Sequence, residues 1–104
     1  MPGIMKEIIS ALNDKTVESS QGWRVDILSL DALKYSEKDK TITLQIEDRP
    51  DVGGELTWII YLPANWIWDS AKKSEPVAPE KVSEILNHIE TAFWKLDMKI
   101  KEYV

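Results

Sequence analysis

Residues 55–69 read ELTWIIYLPANWIWD. Leu56, Trp58, Ile60 and Leu62 alternate with Thr57, Ile59 and Tyr61 in the two-residue period of a strand, and the second set is itself largely apolar. A strand apolar on both faces belongs at the centre of a sheet, or keeps one face for a partner. Pro63 ends the regular alternation. Trp66 and Trp68 follow it on either side of Ile67, share one face if that stretch is extended, and lead to the carboxylate of Asp69. They read either as caps on the sheet end or as part of a binding surface, where tryptophan is enriched.

On the N-terminal side lies the tract DRPDVGG, whose Pro50 and Gly53-Gly54 pair signal a turn. Before it, TITLQIE alternates Ile42, Leu44 and Ile46 with Thr41, Thr43, Gln45 and Glu47, so a strand and its hairpin partner are predicted on the two sides of the turn. Further upstream, Trp23, Val25 and Ile27 alternate with Arg24 and Asp26, and residues 32–35 read as a continuation of that strand after a bend. KTVESSQG is polar and reads as a connection. Ile4, Ile8, Ala11 and Leu12 recur at helical spacing, which predicts a short amphipathic N-terminal helix ending near Asn13.

On the C-terminal side residues 70–78 read as loop. Pro79 suits the first position of a helix, Glu80 complements the helix dipole, and Val82, Ile85, Leu86, Ile89 and Phe93 form one apolar stripe. Asp97 breaks the helix, and Met98 and Ile100 alternate with Lys99 and Lys101 in a short final strand at a sheet edge. The expectation is therefore an α+β two-layer domain: an N-terminal helix, an antiparallel meander of three to four strands, a long C-terminal helix and a short last strand.

At 104 residues the chain reads as one domain able to hold a core without staples. It has no cysteine, which excludes disulfides, thiolate metal sites and thiol catalysis. The N-terminal residues show no basic segment followed by an apolar run and a cleavage site, so export is not expected, and no run approaches the ~20 apolar residues of a membrane span. Eighteen acidic against thirteen basic residues leave a net charge of -5, the wrong sign for gripping a nucleic-acid backbone and the right one for a basic protein. The expected residence is the cytoplasm.

Catalytic constellations are hard to find. The single histidine, His88, falls beside the apolar stripe of the long helix with Glu84 one turn before it, and reads as a boundary residue. Glu47, Asp48, Asp51 and Glu55 gather at the hairpin turn, but their spacing matches no calcium loop, and no cofactor or metal is expected. They read as a solvated tip or as a surface for a cationic partner. Candidate partner-binding residues are thus Glu47, Asp48, Asp51 and Glu55 at the tip, and Tyr61, Trp66, Trp68 and Asp69 along and beyond the following strand.

From Tyr35 onward the chain resembles a family of small bacterial immunity proteins, which neutralise the toxin domains of contact-dependent growth inhibition and related polymorphic toxin systems. The resemblance rests on Tyr35 before a charged turn, the strand TITLQIE ending in Glu47, the strand LTWIIYL, the Trp68-Asp69 pair with Pro76 beyond it, Ile85-Leu86, Ile89 and Ala92 on the helix, and a short last strand. Leu96-Asp97 stands where that pattern has a glycine after the helix, and the predicted N-terminal helix is an addition to it. The resemblance implies a cytoplasmic, non-enzymatic protein that binds one cognate toxin domain, often a nuclease, and blocks its active site or a necessary surface. A homodimeric or adaptor module joined through the face bearing Ile59 and Tyr61 is the alternative.

Overall fold

In the computed structural model, which describes residues 6–50, 53–69 and 75–104, the chain is mostly β: one curled seven-stranded half-barrel wrapped around a single helix. The strands are β1 (Ile9–Ala11), β2 (Thr16–Ser19), β3 (Trp23–Ser29), β4 (Ala32–Glu37), β5 (Lys40–Pro50) and β6 (Leu56–Tyr61), each antiparallel to the next. A two-stranded clip, β7 (Ile67–Trp68) and β8 (Glu75–Pro76), precedes helix α1 (Pro79–Lys95), and β9 (Lys99–Tyr103) returns parallel to β6. The sheet order is β1-β2-β3-β4-β5-β6-β9, so β6 is flanked on both sides and α1 is the crossover that a parallel pair requires. No helix among the described residues is long and apolar enough to cross a membrane.

This architecture corrects the two-layer α+β expectation with its N-terminal helix and three- to four-stranded meander. Residues 9–11, read as helical, are an edge strand whose register runs from Ile9 opposite Ser19 to Ala11 opposite Val17. Ile4, the first apolar residue of that supposed helix, lies outside the described residues. The tract read as a polar connection contains β2, because Val17 alone carries the apolar face while Thr16 and Ser19 are buried through hydrogen bonds. Residues 32–35 do not continue β3 but reverse against it. Leu28 is the extra residue of a β-bulge before that reversal, and it is turned out to solvent.

The concave face is built by alternation. Val17, Trp23, Val25, Ile27, Leu33, Tyr35, Ile42, Leu44, Ile46, Trp58 and Ile60 point inward, and α1 presents Ile85, Ile89, Ala92 and Phe93 to them in one cluster. The indole of Trp58 stands edge-on to Phe93 with ring centroids 6.1 Å apart. Pro79 opens α1 with no side-chain cap, and the helix closes in a Schellman pattern: Met98 N donates to Phe93 O and Asp97 N to Trp94 O, with Asp97 left-handed at φ 59°.

Candidate functional site

The densest polar chemistry lies where the concave face ends. Trp23 opens β3, and the antiparallel register sets Glu37 opposite it and Tyr35 opposite Val25, so all four side chains share the face covered by α1. From the helix, His88 reaches down beside them, with Glu84 and Lys81 one and two turns earlier. With Trp23, Tyr35 and Glu37 these helix residues line a cleft of ≈ 220 Å³. The imidazole of His88 stacks on Trp23 at 4.5 Å between centroids, and its Nδ1 lies 2.9 Å from Tyr35 Oη.

Proton positions follow from donor counting. Tyr35 Oη donates to Glu37 Oε1 at 2.9 Å, and a phenol has one proton. His88 Nδ1 must then carry hydrogen and donate to Tyr35, which leaves Nε2 as the acceptor nitrogen. The other oxygen of Glu37 meets Lys81 Nζ at 3.1 Å, and Lys81 also pairs with Glu84 at 2.7 Å. Burial, reinforced by the hydrogen bond to Glu37, drives the Tyr35 phenol far above its ordinary value. Burial also lowers the His88 imidazole, against the opposing pull of Glu84, Glu7 and Glu37. A neutral imidazole, a phenol that holds its proton and an internally paired Lys81 make a polar latch between helix and sheet. Glu7 extends it to the N-terminal edge by accepting from the Trp23 indole at 2.7 Å and from the Ser19 hydroxyl.

The residues predicted to bind are divided by the structure. Glu47 and Tyr61 do meet: Tyr61 Oη donates to Glu47 at 3.1 Å, and Arg49 grips the same carboxylate, holding it below the usual carboxylate range. They lie on the convex face beside Ile59, which is only 2% exposed between Glu47 and Glu102 in register, so the face proposed for a homodimer has no bare apolar anchor. Asp48 points to the opposite face, in register with Trp58, so Glu47 and Asp48 do not form one patch. Glu55 is exposed at the hairpin, and Asp51 lies outside the described residues.

Trp66, Trp68 and Asp69 belong to the other end of β5 and serve the fold. Beyond Gln45 the strand has no partner in β6, and Asp69 closes that edge: its N donates to Thr41 O, and its Oδ2 accepts from Thr43 N, both at 2.7 Å. Trp68, 4% exposed, stacks against Tyr35 at 6.5 Å under the Lys40 ammonium. Trp66 is half-buried against the same core. The tryptophan that does face solvent is Trp94 on the outer side of α1, 76% exposed; its place after Phe93 reads in the sequence as a helix-edge position, and it is not among the candidate binding residues named there. The signal was its phase, one residue off the apolar stripe.

Among the described residues no group of three or more His, Cys, Asp or Glu side chains is arranged to hold a metal ion. No family model, curated protein or solved structure matches the chain.

Proposed function

We propose that this chain is a non-enzymatic immunity protein that binds and neutralises a basic toxin domain, such as a nuclease, in the cytoplasm. The observation that carries this reading is the division of its ionisable groups. The cleft residues Tyr35, Glu37, Lys81, Glu84 and His88 are paired with one another, while Glu80 and Glu90 on α1 are exposed on a protein of net charge -5. An excess of exposed carboxylates suits fast capture of a basic partner, and a standard interface would bury about 1,600 Å².

The test is to read the gene directly upstream for a toxin domain, whose absence would count against the reading, and to co-express that domain with this chain, scored by growth, together with stopped-flow association of the two purified proteins. Growth is restored, and the association rate falls roughly tenfold or more between low and high salt as carboxylate steering is screened. No rescue and no binding would remove the reading. A homodimeric module is the second reading, favoured by the exposed Leu28 and Leu30 beside a cavity of ≈ 410 Å³ lined by Ile27, Trp58 and Met98. A concentration-independent monomer in sedimentation equilibrium excludes it.

A further inference from the structure

Of the five tryptophans, Trp23, Trp58 and Trp68 are core residues and Trp66 is half-buried, so the isolation of Trp94 on the solvent face of α1 stands apart. One turn before it stands Glu90, exposed and, like Glu18, Glu80 and Glu102, in no ion pair among the described residues. Glu90, Thr91, Asn87 and Trp94 line one shallow concavity of ≈ 350 Å³ on the helix surface. Its chemistry is that of a guanidinium receptor: a carboxylate, an amide and a hydroxyl that accept hydrogen bonds, beside an indole face that attracts a planar cation.

We propose that Trp94 and Glu90 form the anchoring site for an arginine side chain of the basic protein partner, with the guanidinium laid on the Trp94 indole and its N–H groups directed to Glu90. The inference rests on the immunity reading for the source of the arginine. Arginine is favoured over lysine because a planar fork stacks and donates to a carboxylate at once, while an ammonium acts as a point charge. A central aromatic residue with a charged neighbour is also the composition of interface hot spots.

Two measurements separate the site from the reading it rests on. In the first, the 15N-labelled protein is titrated with a tetra-arginine peptide, and the indole N–H signal of Trp94, assigned with Trp94→Phe, is followed. It moves to saturation, tetra-lysine binds more weakly, and Glu90→Gln weakens tetra-arginine about fivefold. Movement of another indole in its place, or wild-type affinity in Glu90→Gln, would overturn the site. In the second, the neighbouring-gene toxin domain is bound to wild type and to Trp94→Ala, which is expected to lose roughly thirtyfold in affinity at unchanged melting temperature. Equal binding by both refutes the arginine site and leaves the immunity reading standing. Saturable tetra-arginine binding at Trp94 with no toxin binding by wild type supports the site and removes the immunity reading.

Discussion

The imidazole of His88 lies flat on the indole of Trp23, with centroids 4.5 Å apart and planes within 10°. The middle of α1 is thereby joined to the first residue of β3. The same imidazole touches Tyr35 Oη, and through it Glu37 and Lys81, so one side chain ties the helix to two strands and to a chain of charges.

The latch makes stability depend on pH in a definite direction. Burial lowers the folded-state pKa of His88 below its ordinary 6.5, so the unfolded chain takes up the proton first. Its contribution is whole above about pH 6.5 and is lost as pH falls from there toward the folded value. Glu84, also lowered, begins to matter only below its ordinary 4.5. Urea midpoints measured near pH 7.5 and pH 5.5 should drop more in wild type than in His88→Gln. Equal drops would show that the imidazole does not titrate in this window.

Truncating Trp68 and truncating Trp94 should have opposite signatures. Trp68 is buried against Tyr35, and Trp68→Ala is expected to lose about 3–5 kcal/mol by urea denaturation. Trp94→Ala should stay within about 0.5 kcal/mol of wild type, because the indole contributes little to the core. A large loss at Trp94 would mean that its ring packs on the fold.

Asp97 occupies a left-handed position that glycine adopts without side-chain strain. Asp97→Gly should therefore raise stability by up to about 1 kcal/mol, the relief of strain outweighing the added freedom of the unfolded chain. Calorimetry showing a lower melting temperature would place a stabilising contact on the Asp97 side chain.

β9 closes one side of β6, and its pairing continues through Val104 to Ile60 and Leu62. A chain ending at Asp97 leaves Trp58 and Ile60 on an unprotected edge. It should melt at least about 10 °C lower, corresponding to a loss of roughly 2 kcal/mol or more for a domain of this size. An unchanged melting curve would make β9 a dispensable tail.

Local pattern by itself determined α1, the β5–β6 hairpin and the existence of a strand after the helix. Pro79, the stripe from Val82 to Phe93 and the alternation of Ile42, Leu44 and Ile46 each repeat long enough to specify a period. The two apolar faces of β6 read as a central strand covered on both faces or one keeping a face for a partner; in the sheet it lies one strand in from the edge, between β5 and β9. The N-terminal third was not legible in this way. Three or four apolar residues match a helix and an edge strand equally well, and β1 is decided by its hydrogen bonds to β2, a partner whose own inward face holds one valine. The candidate sites were further from reach. Glu47 and Asp48 look like one acidic cluster until pleating sends them to opposite faces, and Trp68 looks like a contact residue until the end of β5 needs covering. His88 acquires its meaning from Trp23 and Tyr35, and Trp94 from its exposure on the outer side of α1, because burial and stacking are properties of residues brought together across the fold.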